Sequence, residues 1–125
     1  MSIYLLDTHV ALWWLSNNRK LTKKMRELIS NPQNQIMVSA VSLWEIIIKK
    51  SLNKIEVPDN LKEALVASGF KLLSMTADHA LCVENLPYIH NDPFDRLLIA
   101  QCIVEDVIFV TADKIIPKYK IKCIV

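Results

Sequence analysis

Apolar runs too brief for a helix alternate along this chain with segments of helical spacing. Ile3-Tyr4-Leu5-Leu6 is a continuous apolar run, the pattern of a strand covered on both faces, and Ile36-Met37-Val38, residues 70–73 and residues 107–110 read as the next three strands. Residues 121–125 read as a fifth strand, at an edge. The intervening segments read as helices: 10–15, about 22–30, a long one capped by Ser39 or Ser42 and running to about Leu52, about 60–68, 76–84, and one from Asp92-Pro93 to about Glu105. Asn31-Pro32 stops the second and Gly69 closes the fourth. Strands that alternate with helices need right-handed crossovers, so the expected fold is a three-layer α/β/α domain around a parallel sheet of four to five strands.

The 125 residues are the usual length of one domain, and no repeat, linker or low-complexity stretch divides them. A 52% apolar content excludes disorder. The richest apolar runs fall well short of the ~20 residues of a bilayer helix, so no membrane association is expected. Asp7 interrupts the first apolar run and no basic stretch precedes it, unlike a signal peptide. Cys82, Cys102 and Cys123 are an odd number, far apart and without CxxC or Cys/His spacing. Reduced thiols in a cytoplasmic protein are expected, without structural zinc.

Ligands in parallel α/β sheets sit beyond the carboxyl ends of the strands, where strand order reverses. Asp7 and Asp113 each follow a strand. Asp95 lies near the start of the sixth helix, whose Leu97, Leu98, Ile99, Ala100, Cys102, Ile103 and Val104 leave it apolar on nearly every side and so buried. Glu45 stands among Leu43, Trp44, Ile46, Ile47 and Ile48, where an ionised carboxylate is costly unless paired or bound to a cation. Each acid has a structural alternative. Asp7 can cap the first helix, Asp113 can cap a short turn ended by Pro117, and Glu45 completes a capping box if Ser42 is the cap. With Asp92 as cap and Pro93 at N1, Asp95 falls at N3, where an acid supports the helix dipole. Together the four acids form a group that repulsion would scatter or protonate without a counter-charge. Oxygen donors without Cys or His partners point to a hard cation, Mg²⁺ or Mn²⁺.

The charge balance has two readings, since a lysine-rich solvated face is ordinary unless the excess is localised. Of thirteen acidic residues, Asp7, Glu45, Asp92, Asp95 and Asp113 belong to this focus, which leaves eight against fifteen basic residues elsewhere. An acidic centre in a basic field suits a cation in the site and a phosphate backbone around it. Arg96, next to Asp95, is a candidate for substrate phosphate or for a salt bridge to the acids. His9, His79 and His90 are unevenly spaced, and a lone histidine is more often structural than a ligand. Trp13, Trp14 and Trp44 read as core or partner-facing side chains ahead of base-stacking ones. A phosphoaspartyl enzyme would need a second Asp where His9 stands, and a receiver domain a phosphoacceptor Asp where Ser74-Met75 stands. A non-catalytic module that kept the fold is the third alternative, and the presence of all four acids counts against it.

Leu6-Asp7-Thr8-His9-Val10-Ala11-Leu12-Trp13-Trp14, Ser39-Ala40-Val41-Ser42-Leu43-Trp44-Glu45-Ile46, His90-Asn91-Asp92-Pro93-Phe94-Asp95-Arg96-Leu97-Leu98 and Thr111-Ala112-Asp113 together resemble the PIN-domain family, and within it the VapC-type toxins of bacterial toxin–antitoxin pairs. The resemblance spans almost the whole chain. It implies a PIN fold, Mg²⁺- or Mn²⁺-dependent endoribonuclease activity on RNA, inhibition by a small DNA-binding antitoxin protein, and a homodimer. A PIN nuclease of RNA processing is the alternative within the family. Carried over by position, Asp7 and Asp95 match the principal metal ligands, Glu45 the family's glutamate and Asp113 its fourth acid. Thr8, Ser39 and Thr111 match small polar residues that orient these carboxylates or a water. Asp92 is matched in close relatives and reads better as a cap. Asn91 stands where relatives often have arginine.

Overall fold

A computed structural model describes residues 2–125. The strands β1 (Ile3–Leu6), β2 (Gln35–Ser39), β3 (Lys71–Leu73), β4 (Ile108–Val110) and β5 (Cys123–Ile124) form one parallel sheet in the order β3-β2-β1-β4-β5. Six helices connect them: α1 (Thr8–Leu15), α2 (Lys23–Ser30), α3 (Ala40–Ser51), α4 (Leu61–Ala67), α5 (Ala77–Cys82) and α6 (Pro93–Glu105). Single 3₁₀ turns lie at Val83–Asn85 and Ile116–Lys118. The three-layer α/β reading of the sequence is the observed architecture.

Side chains alternate across a strand, so a strand covered on both faces must be apolar at every position. Leu6, Ile36, Val38 and Val110 pack on one face against Val10, Met25, Ile29, Leu61 and Leu65. Leu5, Met37 and Phe109 pack on the other against Leu98, Ile99 and Cys102 of α6. Each such side chain stabilises the fold by ~1.5–3 kcal/mol relative to its exposed state. The expectation that α6 is buried all round holds only for its middle, Leu98 to Cys102. Ile103 and Val104 are 46% and 41% exposed before Asp106 ends the helix with φ +53°.

Local signals set the helix ends. Thr22 Oγ1 accepts from Met25 N at 3.1 Å and starts α2. Ser39 Oγ accepts from Val41 N at 3.0 Å, so Ser39 is the cap of α3 and no Ser42–Glu45 capping box forms. Gly69, at φ +87°, ends α4 in the left-handed conformation that only glycine adopts without strain. Among the described residues no helix is long and apolar enough to cross a membrane.

The topology fixes where a site can form. The chain moves outwards from β1 to β2 and β3, then returns to the other side of β1 with β4. The order reverses between β1 and β4, and a crevice opens above their carboxyl ends. Their register pairs Leu6 with Val110, which brings Asp7 beside Thr111.

Candidate active site

Three acids from separate elements meet in that crevice. Asp7 follows β1, Asp113 follows β4, and Asp95 stands at N3 of α6. With Asp92, His9, Trp13, Lys20 and His90 they line a cleft of about 480 Å³. Asp7 is buried, yet both of its oxygens are held: Oδ1 accepts from Thr8 N at 2.7 Å and Oδ2 from Thr111 Oγ1 at 2.7 Å. Asp7 thus caps α1 and lines the cleft at once, so the two readings of its sequence position are compatible. Thr111 also accepts from Asp113 N at 3.0 Å, which links the loops after β1 and β4 through one hydroxyl.

His90 completes the group. Its Nε2 lies 2.8 Å from Asp113 Oδ2 and 3.2 Å from Asp95 Oδ2. Its Nδ1 accepts from Asp92 N at 3.0 Å, which assigns the ring proton to Nε2 and makes that nitrogen a donor to the carboxylates. Ligand atoms of His90, Asp95 and Asp113 all fall within 4.8 Å of one another. The imidazole is the positive end of an otherwise acidic cluster. The sequence reading gave His90 no role; its position immediately before Asn91-Asp92-Pro93 was the only signal, and a weak one.

Charge in the cluster is poorly compensated. Burial pushes the Asp95 carboxyl up to about 7, and the negative charges of Asp7 and Asp92 push the same way against His90. Burial also raises Asp7, only partly offset by its bonds from Thr111 and Thr8. Burial works to lower His90, but its bond to Asp113 and the charges of Asp95, Asp113 and Asp92 outweigh that and raise it. Asp113 moves down: burial is overcome by the hydrogen bonds from Ile115 N and His90.

These shifts set a pH dependence. Asp7, Asp95 and His90 all hold protons more tightly folded than unfolded, so each contributes stability at low pH that is lost as pH rises. For Asp95 the window runs from the ordinary 3.8 to about 7, and His90 extends it above 6.5. Asp113 acts in the opposite sense, only at acid pH around and below 3.8. The metal-free protein is therefore expected to melt on the order of 5 °C lower at pH 8 than at pH 5, since 1 kcal/mol moves Tm by ~4–8 °C in a slightly smaller domain. Thermal melts across that range check it; a Tm that rises with pH would contradict the charge arrangement.

The other expected site residues fall differently. Asp92 is the cap of α6, its Oδ1 accepting from Phe94 N at 2.8 Å and Asp95 N at 3.3 Å, and it also lines the cleft. Glu45 is buried, as its neighbours implied, but for another reason. Its Oε1 accepts from Thr8 Oγ1 at 2.7 Å, and its Oε2 pairs with Lys49 one turn on. Its burial needs no cation, although its charge pushes both Asp7 and Asp95 up. Thr8 therefore orients Glu45, together with Ser42 Oγ at 2.8 Å. Ser39 caps α3 and touches none of the acids.

Arg96 does not face the cleft, so the expectation of a phosphate contact or an acidic salt bridge is corrected. Adjacent residues on a helix diverge by about 100°. The buried guanidinium donates to Pro87 O at 2.8 Å, Tyr119 Oη at 3.2 Å, and Val83 O and Leu86 O at 3.4 Å, with the Tyr88 ring stacked at 4.1 Å. Tyr119 Oη in turn accepts from His90 N at 2.8 Å. Arg96 thus ties down the segment that delivers His90.

The donor set fits a divalent cation. Asp7, Asp95 and Asp113 offer carboxylate oxygens, and the atoms within 4.8 Å of one another are those of Asp95, Asp113 and the His90 nitrogen. A carboxyl held near 7 by burial and like charge is one that a cation would ionise. A family model described as PIN domain matches residues 4–122. The chain belongs to the PIN domain family. This PIN domain is 27% identical over 117 residues to Ribonuclease VapC22 of Mycobacterium tuberculosis, covering 91% of this chain and 89% of that one. Its fold matches VapBC2 from Rickettsia felis, bound to a DNA fragment of the promoter, with TM-score 0.73 at 17% identity over 98% and 97% of the two chains. It also matches DNA-bound VapBC from Salmonella typhimurium, with TM-score 0.72 at 17% identity over 99% and 98%. A toxin–antitoxin complex from Klebsiella pneumoniae superposes less closely, with TM-score 0.59 at 18% identity over 88% and 86%.

Proposed function

We propose that this PIN domain is a divalent-metal-dependent endoribonuclease, the toxin of a toxin–antitoxin pair neutralised by a small antitoxin protein. The observation that carries the reading is the convergence of Asp7, Asp95 and Asp113 on one cleft at the switch point of the sheet. The similarity to a ribonuclease VapC and to VapBC complexes supports it. We also read the chain as cytoplasmic and homodimeric, on the family resemblance and on the exposed apolar Trp44 and Ile47 of α3.

Asp7, Asp95 and Asp113 would hold Mg²⁺ or Mn²⁺. A bound divalent ion lowers the pKa of water and stabilises charge developing on a phosphodiester. The chain's own residues prepare that chemistry. Thr111 and the Thr8 amide fix both oxygens of Asp7, so its orientation costs nothing on binding. Asp95 would serve as a ligand in its ionised form, and His90 Nε2 lies within hydrogen-bond distance of Asp113 and Asp95. Glu45, paired with Lys49, stands behind these carboxylates, and its charge is the smallest of the influences that raise Asp7 and Asp95.

Incubation of the metal-freed chain with single-stranded RNA tests the reading. Cleavage is expected with Mg²⁺ or Mn²⁺ and none with excess EDTA; attack of water on phosphorus with departure of the 3′-oxygen would leave 5′-phosphate and 3′-hydroxyl ends. Undiminished cleavage in EDTA would sink the metal-dependent mechanism.

A further inference from the structure

A second cavity, of about 320 Å³, adjoins the acidic cleft and shares His9 and Trp13 with it as common walls. Its far side is Ile55, Val57 and Pro58, with Glu56 at its rim. Trp13 is only partly buried, so one side of the indole packs on the core while the ring borders both spaces. Lys20 Nζ stands 6.0 Å from the centre of that ring, on the cleft side. Among the described residues Lys20 forms no ion pair, and it is the one lysine or arginine lining the cleft, where Arg96 was expected to serve.

We propose that Trp13, Lys20 and this cavity form a base-binding subsite for the ribonucleotide next to the scissile phosphodiester; the proposal rests on the ribonuclease reading. A phosphodiester held at the carboxylates has its neighbouring base one nucleotide away, and unpaired bases are bound by stacking on aromatic rings beside a cation for the backbone. Trp13 supplies an aromatic wall, one face of which Lys20 Nζ overlies at 6.0 Å and against which the His9 ring is tilted at 46°, and Lys20 would swing from that face to the adjoining phosphate as a base stacks. The volume lies at the lower end of the ~300–1,000 Å³ of small-ligand sites, which suits a single base. The Glu56 carboxylate, an acceptor without a donor of its own, favours a base that presents an exocyclic amino group. An apolar cavity alone would equally seat a protein side chain. The two walls it shares with the cleft, and a lysine there that forms no ion pair among the described residues, favour the nucleotide.

Mapping of cleavage sites on a random-sequence single-stranded RNA pool, with Mn²⁺, tests the subsite. Wild type is expected to show a base preference at one position flanking the cut. Trp13→Ala should lose that preference and lower kcat/KM by about 10- to 100-fold. Trp13→Phe, which keeps a stacking face and the core contact, should retain the preference with a smaller loss. Lys20→Gln, at an exposed position, should weaken RNA binding and flatten the log–log salt slope by ~0.7. If Trp13→Ala does not fold, Trp13→Phe and Lys20→Gln decide. Wild-type cleavage with unaltered rate, preference and salt slope in the variants would overturn the subsite alone. So would variants that cut RNA normally but lose binding to an antitoxin protein, which would assign the cavity to that partner. Absence of any wild-type cleavage would overturn the ribonuclease reading itself.

Discussion

Asp95→Asn is expected to abolish RNA cleavage, lowering kcat/KM by at least ~10³-fold, or about 4 kcal/mol, while the metal-free protein at pH 8 melts no lower than wild type. Both halves stem from the geometry. Asparagine is nearly the shape of aspartate, tolerates the start of α6 and leaves the Asp92 cap in place. It removes one carboxylate from the cleft and, at pH 8, the charge that burial, Asp7 and Asp92 disfavour on Asp95. Initial cleavage rates and thermal melts on the same preparations check it. Wild-type activity in the variant would remove Asp95 from the site. A drop in Tm of about 10 °C or more would mark Asp95 as a structural residue of α6.

Arg96→Ala is expected to act in the opposite way, through stability. The variant strips a buried guanidinium from three backbone carbonyls and from Tyr119 Oη. Buried acceptors left without a donor cost ~1–3 kcal/mol each, part of which water entering the space recovers. A loss of about 3 kcal/mol is expected, seen as a fall in Tm on the order of 10 °C. The salt slope of RNA binding should not change, because Arg96 reaches no phosphate. Residual cleavage should be reduced through kcat more than KM, since the 83–90 segment that positions His90 loses its anchor. A variant with wild-type Tm and a flattened salt slope would show that Arg96 faces the substrate.

The Arg96 case shows what the sequence could and could not convey. The strands were legible because burial on both faces demands apolar residues at every position, as in Ile3-Tyr4-Leu5-Leu6 and residues 107–110. Gly69 and Asp92-Pro93 announced their helix ends through local backbone chemistry. Asp7, Asp95 and Asp113 were legible as candidates because strand ends and a buried helix start lead to one edge of a parallel sheet. Facing direction was not legible. Asp95 and Arg96 are neighbours in the chain and diverge on the helix. Glu45 was read correctly as buried, but the counter-charge comes from Lys49 at i+4, a pairing only a settled helix register reveals. His90 reads as structural in the sequence because, beside its near neighbours Asp92 and Asp95, the partners that place it in the cluster are remote: Asp113 from the loop after β4, and Tyr119 after the 3₁₀ turn near the C-terminus. Their meeting depends on the order β3-β2-β1-β4-β5, which no local pattern encodes.

The proposed function rests on a cluster of carboxylates, Asp7, Asp95 and Asp113, gathered in one cleft with His90 among them. The most direct measurement is the melting temperature of the metal-freed chain with and without millimolar Mn²⁺, followed from pH 5 to pH 8. The cation should raise Tm, and raise it more at pH 8, where Asp95 is ionised, than at pH 5, where it must first lose a proton. Asp95→Asn should shrink the response at pH 8. A Tm that ignores Mn²⁺ at every pH, or a response that Asp95→Asn leaves intact, would contradict a cation-binding role for these carboxylates.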